Sequence, residues 1–444
     1  MNFINKFFKL KEFSTDLKTE ITGGLTTFLT MSYIIFVQPQ VLGAAGMDKG
    51  AVFTATCLSS AIACFIMGIY ANYPIAQAPL IGENFFFAYT VVLAMGLTWQ
   101  KALGLVFISG IVFLLLTMTK IREKLIDSVP DCLKFAIASG IGLFITLIGL
   151  KESGLIVANP PTFVKLGDIS SIPVLISSAG LIVTATLFAR NIKGGILFGM
   201  LFSAIIAYII MGFSGFSGIF SLPPSMSSTF LKLDLTGILN WDSISIILIF
   251  LFMSIFDTLG TLVGVGIQAG LIKNGKFERI SKALVSDAVA TTCGSLLGTS
   301  TVSSYIESST GVANGGRTGL TAITVGFLFL LSLFFAPLVS SVNLQISLPD
   351  KSIIHPVTAP ALIFVGALMM STIKHIKWEE WTDSIPAFLT LVLIPFTFNI
   401  ADGIAFGFIS FVLLKTLSGK TKEVSLILWI LALLFLSRYI FLVS

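Results

Sequence analysis

Charge is what this chain has least of. Asp, Glu, Lys and Arg make up 11% of its 444 residues, against about 25% in soluble domains. Histidine is scarcer still, with only His355 and His375, and the four cysteines are Cys57, Cys64, Cys132 and Cys293. The cysteines form no CxxC pair and have no His neighbour, so neither a zinc site nor a disulfide framework is written here. They read as small buried hydrophobes. His355 and His375 flank one apolar run, too far apart for metal-ligand spacing, and no cofactor is expected. A cleavable signal pattern is absent, because Lys6, Lys9, Lys11, Glu12, Asp16, Lys18 and Glu20 interrupt the first twenty residues. Residues 1–15 read equally as a short surface-lying amphipathic segment or a solvated tail. Gly315-Gly-Arg-Thr-Gly319 lacks the Gly-Lys-Ser/Thr ending of a phosphate loop. Nor does the net charge of +5 point to nucleic acid; in so apolar a chain, the distribution of Lys and Arg sets topology.

Apolar runs are what the chain has instead. Hydrophobic residues make up 55%, and the runs recur along nearly the whole length, which favours one polytopic all-α bundle. Spans are expected near 22–41, 52–72, 79–97, 100–119, 133–150, 172–189 and 194–212. A second series follows near 243–268, 283–297, 300–316, 319–340, 356–373, 384–399 and 401–418. With a cytoplasmic N-terminus, the inward segments hold twenty Lys or Arg and the outward ones six. That satisfies the positive-inside rule and places the chain in the cell membrane, with the lipid bilayer as a partner. The organisation is then an N-terminal segment 1–21, a first repeat 22–212, an outer connector 213–242, a second repeat 243–418 and a C-terminal segment 419–444. The apolar stretch 424–442 within that last segment can be an added helix or lie on the surface.

Seven spans on either side of the connector insert in opposite orientations, the arithmetic of an inverted repeat. The halves match in character too. Span three opens with Asn72-Tyr-Pro-Ile-Ala-Gln-Ala-Pro-Leu-Ile-Gly-Glu-Asn84, where Pro74, Pro79 and Gly82 break a helix. In span ten, nine of the twelve residues 299–310 carry hydroxyls. Both are expected to contain a short extended piece followed by a half-helix. Such backbone is tolerated at membrane depth only when buried in protein or lining a cavity, and paired broken segments point to a binding site.

Two acids stand in this setting. Asp257 lies in Ile249-Phe-Leu-Phe-Met-Ser-Ile-Phe-Asp257, and Glu307 in the hydroxyl-rich run of span ten. Each costs ~2.5–3.5 kcal/mol at mid-bilayer, a cost best explained by a polar cavity handling a substrate or a proton. With half-helices starting near Asn84–Phe85 and Ile306–Glu307, free N–H groups and positive dipole ends favour carbonyl oxygens. Asn84 adds an amide that donates and accepts, and Phe85 a flat apolar face. Together these suit a ring bearing several N–H and C=O groups. Simpler readings stand beside this one. Asp257 can be a structural acid paired with Thr26 or Thr30 of span one, and Glu307 a favourable first-turn acid. Glu83 can point into a water-filled vestibule. Arg317 reads as an inner-surface charge or a gating residue. A membrane-embedded enzyme, the rival class, needs a metal cluster or a nucleophile–base pair within the spans, and neither pattern is present.

Three motifs then carry a resemblance. They are Glu20-Ile-Thr-Gly-Gly-Leu-Thr-Thr-Phe-Leu-Thr-Met-Ser-Tyr-Ile34, Phe256-Asp-Thr-Leu-Gly-Thr-Leu-Val-Gly264, and Ser304-Tyr-Ile-Glu-Ser-Ser-Thr-Gly-Val312 with Gly315-Gly-Arg-Thr-Gly-Leu-Thr321. They closely resemble the purine-base permeases of the adenine/guanine/hypoxanthine branch of the nucleobase-cation symporter 2 family, from about Phe8 to Lys415. The resemblance implies fourteen spans in two inverted seven-span repeats. Spans one to four and eight to eleven would form a substrate-binding core, and five to seven and twelve to fourteen a gate. It implies proton-coupled import of hypoxanthine, guanine or adenine by alternating access. Asp257 and Glu307 would bind base and proton, with Asn84, Phe85, Ile306 and Thr30 as further substrate contacts and Glu83, Thr26 and Arg317 as secondary candidates. A uracil, xanthine or small-anion carrier is the alternative on the same fold, and a second copy of the chain is a candidate partner. Two departures stand out. The family's span-three loop often reads Ala-Pro-Gly-Met-Gly-Leu-Asn where this chain has Ala78-Pro-Leu-Ile-Gly-Glu-Asn84, and its Val-Asn-Pro at the end of span one is here Val37-Gln-Pro39.

Overall fold

In a hydrocarbon layer every backbone N–H and C=O must find its partner within the protein, so apolar runs become helices. The computed structural model describes residues 2–119, 129–212, 218–238, 240–273, 276–277, 279–347 and 353–441. Among them, eight helices are long and apolar enough to cross a membrane, including Lys49–Ala71, Asp131–Glu152 and Ser243–Gly266, and five shorter apolar helices accompany them. The chain is a multi-pass helical membrane protein.

Several boundaries differ from the sequence reading, each for a local reason. Span one starts at Leu17, earlier than expected, because the Asp16 carboxylate accepts from the Thr19 amide and caps the helix. It divides at Ser32–Tyr33 into Leu17–Met31 and Ile34–Ala44, where the amides of Ile35 and Phe36 bond three residues back in tighter turns. Span three contains the strand Gln77–Pro79 and the helix Ile81–Phe85, which continues as the wider helix Phe86–Ala94. The half-helix therefore begins at Ile81, not at Asn84–Phe85. Gly82 does not break it, because a bare Cα is what lets this turn sit against the Ile141 side chain. In span ten the strand Val302–Ser304 precedes the helix Ser308–Ala313, with Glu307 at its N-cap.

The two strands pair antiparallel, with Gln77 opposite Ser304 and Pro79 opposite Val302. This two-stranded sheet joins the halves of the chain and fixes where both half-helices start. Spans one, two, eight and nine pack on it, with spans four and eleven packed behind them. Glycine allows the closest approach: a Cβ at Gly311 would collide with the Gly23 carbonyl, so span one and the span-ten half-helix touch backbone to backbone. A second group is built on Asp131–Glu152, against which Ala359–Met370 and Trp381–Phe396 pack; Trp381–Phe396 also contacts Ile400–Leu417, and Ile172–Ala189 contacts Gly195–Met211.

The outer connector is ordered where described. Thr54 donates to the Pro224 carbonyl, Leu231 N–H to the Leu296 carbonyl and Asp234 N–H to the Gln100 carbonyl, holding 221–234 across the ends of spans two, four and nine. Residues 213–217 fall outside the described residues. The last apolar stretch forms Leu426–Phe441 and packs on Ile400–Leu417. Tyr439, near its end, donates to Asp402, near the start of its neighbour, at 2.7 Å. The two helices therefore run antiparallel, side by side.

Candidate functional site

Where the broken spans meet, a cavity of about 120 Å³ opens between the two helix groups. Its walls are Tyr33 of span one, Leu80, Ile81 and Gly82 of span three, Asp257 and Thr261 of span eight, Ser304–Glu307 of span ten, and Val365 and Met369 of the second group. Each wall has a local cause. Leu80 N–H bonds the Thr301 carbonyl and Tyr305 N–H the Ala76 carbonyl, so the strand ladder delivers both half-helix tips to one place. Tyr305 is locked by donating to the Pro79 carbonyl at 2.6 Å. The first turn of Ile81–Phe85 faces the cavity with N–H groups that have no intrahelical acceptor.

The two acids share this cavity but differ in their partners. Glu307 makes no cap bond to its own helix and accepts one hydrogen bond, from the Tyr33 hydroxyl at 2.8 Å. Asp257 has no side-chain hydrogen bond among the described residues and forms no ion pair there. Thr26 donates to the Thr22 carbonyl and accepts from Asn314, while Thr30 bonds Thr26, Thr27 and Thr310. Neither threonine pairs with Asp257. The cavity walls present several acceptor lone pairs, a few N–H donors and two aromatic faces, with no basic side chain. A carboxylate there can bind ring N–H groups, or a proton.

Glu307 also borders a second cavity, of about 250 Å³, with Thr30, Thr310, Lys193, Asn191 and Leu368 on its wall. Lys193 bonds Asn314, and Asn314 bonds Thr26, linking the two helix groups on that side. The acid thus stands between a central cavity and a vestibule.

Of the sequence candidates, Asp257, Glu307 and Ile306 line the central cavity, and Thr30 lines the vestibule. Asn84 and Phe85 line neither. With the half-helix starting at Ile81, three residues before Asn84, Asn84 turns into the protein, where it exchanges hydrogen bonds with Gln38 and accepts from Ser300. Phe85 stacks on Tyr89 at 5.3 Å between ring centres and meets Phe144 edge-on. Glu83 faces no vestibule: it is fully buried against Ser254. Arg317 donates to the Val312 and Gly316 carbonyls and closes the end of the half-helix.

Sequence reasoning missed Tyr33, Thr261, Tyr305 and the two residues of the second helix group. Tyr33 and Tyr305 did carry a signal, as hydroxyl-bearing aromatics beside breaks. It also missed Asp287 of span nine. This fully buried carboxylate accepts from Thr258 at 2.6 Å, Ser303 at 2.8 Å, Ser304 at 2.8 Å and the Gln77 amide. It ties both strands to the helix that bears Asp257. An acid within an apolar span was the available sign.

A helical membrane protein with two paired broken spans around a cavity has known counterparts. The transmembrane domain of a cyanobacterium bicarbonate transporter, BicA, shares the fold at a TM-score of 0.64 and 14% identity, covering 87% of this chain and 97% of that one. This is a transporter fold of two inverted repeats. Residues 18–406 match the permease family, and the chain belongs to that family. It is 44% identical to adenine permease AdeQ of Escherichia coli (strain K12), covering 98% of this chain and 96% of that protein. It is 46% identical to guanine/hypoxanthine permease PbuG of Bacillus subtilis (strain 168), covering 98% and 99%, and 49% identical to a putative permease of Methanocaldococcus jannaschii, covering 100% and 99%.

Proposed function

We propose that this permease is a proton-driven importer of purine bases such as hypoxanthine, guanine and adenine, working by alternating access. The observation that carries the reading is the central cavity, where Asp257 and Glu307 face two half-helix tips. Ring N–H groups of a purine can donate to the carboxylates, and ring nitrogens or carbonyls can accept from the free N–H groups of the Ile81–Phe85 turn. Tyr33 and Tyr305 supply flat faces suited to offset stacking. The names of the adenine and guanine/hypoxanthine permeases, at more than 40% identity over nearly full length, support the substrate class. Acids without basic partners disfavour a small anion.

Coupling follows from the same chemistry. A carboxyl in a low-dielectric cavity moves between sides most cheaply as a neutral species, either protonated or bonded to the base. Transport then requires the two helix groups to shift against each other, opening the central cavity to one side at a time. The vestibule bordered by Glu307 is the route to the side of the N-terminal segment, which the charge distribution assigns to the cytoplasm. Proteoliposomes with an imposed pH gradient and no sodium test this reading. Purine accumulation driven by protons is the expected result, and accumulation that needs sodium, or none with an acidic exterior, would overturn it.

A further inference from the structure

We propose that Glu83 is a second proton-binding site of this permease, exchanging its proton with Asp257. The proposal rests on the proton-coupled reading above and deepens it. Glu83 is the acid by which span three departs from the family motif, a secondary candidate of the sequence reading, and it lies in the half-helix Ile81–Phe85. It is fully exposed to protein and to no solvent, with a relative exposure of 0%, and it does not line the central cavity, so a base cannot be its ligand.

What surrounds the carboxyl suits a proton. The Ser254 hydroxyl reaches both of its oxygens, at 3.1 Å each. Thr301, which immediately precedes the span-ten strand, turns a buried hydroxyl towards it. The charged groups acting on it are two further acids, Asp257 of span eight and Asp287 of span nine. Span five meets the same half-helix with the apolar Ile141, and span one with the neutral Gln38. No Lys, Arg or His pairs with it among the described residues. An ionised Glu83 would be an unpaired charge beside two like charges. A neutral one supplies an O–H donor to the neighbouring Thr301 hydroxyl, which has no other hydrogen bond.

Ser254 also provides the connection. It precedes Asp257 by three residues on one helix, so both project from the same face. A proton entering Asp257 from the cavity breaks its O–H bond as one forms at the Ser254 oxygen. Ser254 releases its own proton to Glu83, so one proton moves and charge is conserved. The reverse route empties the site after the cavity has opened to the other side.

The test is the number of protons moved per base in proteoliposomes. Each coupled proton multiplies the limiting accumulation about tenfold for each unit of pH gradient at zero membrane potential. Glu83→Gln is expected to bind hypoxanthine normally yet reach a limit about tenfold lower at a one-unit gradient, with Glu83→Asp restoring it. An unchanged limit in Glu83→Gln overturns the proposal. Should that variant fail to fold, counting protons per base decides: two that persist in Glu307→Gln support the site, whereas one in wild type, or a fall from two to one in Glu307→Gln, overturns it. A wild-type count of zero fails the coupling reading itself.

Discussion

Asp287 and the cavity pair Asp257 and Glu307 are acids in the same membrane-buried core, and they are solvated in opposite ways. Four donors converge on Asp287, which leaves it little acceptor capacity for anything else. Glu307 has one donor and Asp257 none among the described residues. Burial alone therefore does not mark a functional acid; spare hydrogen-bonding capacity does. The filled carboxylate builds the frame, and the unfilled ones are free to take a base or a proton.

The strongest way to break that contrast is Asp287→Ala. Every donor it strips of a partner costs ~1–3 kcal/mol when left buried, and several at once approach the whole stability of a domain. The expected outcome is protein that is made poorly and melts far lower in detergent. Normal melting with selective loss of uptake would move Asp287 into the functional class.

Asp257→Asn should act in the opposite manner. Its side chain makes no hydrogen bond or ion pair among the described residues, so melting should hold close to wild type while concentrative uptake disappears. Base exchange down a gradient is expected to survive if the amide still meets the ring. Exchange and accumulation are separable in the same vesicles, and an Asp257→Asn protein that still concentrates hypoxanthine would falsify proton coupling through this residue.

Glu307→Gln comes next in size. The amide keeps the volume but replaces an acceptor with a donor, mispairing one buried group at ~1–3 kcal/mol, or roughly 5–150-fold in affinity. Equilibrium binding of hypoxanthine reads this directly, and wild-type affinity would remove Glu307 from the substrate wall. Tyr33→Phe takes away only the hydrogen bond to Glu307, a net ~0.5–1.5 kcal/mol, or about 2–13-fold. If Tyr33 matters through Glu307, its loss should add little in the Glu307→Gln background, and full additivity in the double variant would separate the two residues.

These differences explain what could be read in advance. Asp257 and Glu307 announced themselves because an acid in an apolar run, beside Pro, Gly or hydroxyl clusters, is a local pattern. So were the broken spans, each expected to hold a short extended piece before a half-helix, although the pairing of the two pieces into one sheet was not read. Asn84 and Phe85 were misplaced by one helix turn, since a half-helix start shifted from Asn84 to Ile81 rotates every later side chain. Val365 and Met369 reach the cavity only through the packing of two distant helices, and nothing in their own run signals it. Asp287 stayed hidden because its partners Gln77, Thr258, Ser303 and Ser304 come from three separate spans. The departure at Glu83 was visible, but its confinement against Ser254 was not.

A fourth acid completes the comparison from outside the bilayer. Glu380 caps Trp381–Phe396 and pairs with Lys420 at 2.8 Å on an exposed face. The Lys420 and Thr382 hydrogen bonds draw its carboxyl down to about 2 from the usual 4.5. Because the folded value is the lower one, this pairing contributes its stability above about pH 4.5 and loses it as pH falls towards 2. Solvent and salt screen a pair so exposed. Glu380→Gln should therefore leave uptake and neutral-pH melting close to wild type, the smallest effect of the series. What difference remains should shrink at high salt and vanish in the acid range. A large loss at neutral pH and high salt would show that an exposed carboxylate here does structural work comparable to Asp287, and the distinction by filled and unfilled acceptor capacity would not hold across the protein.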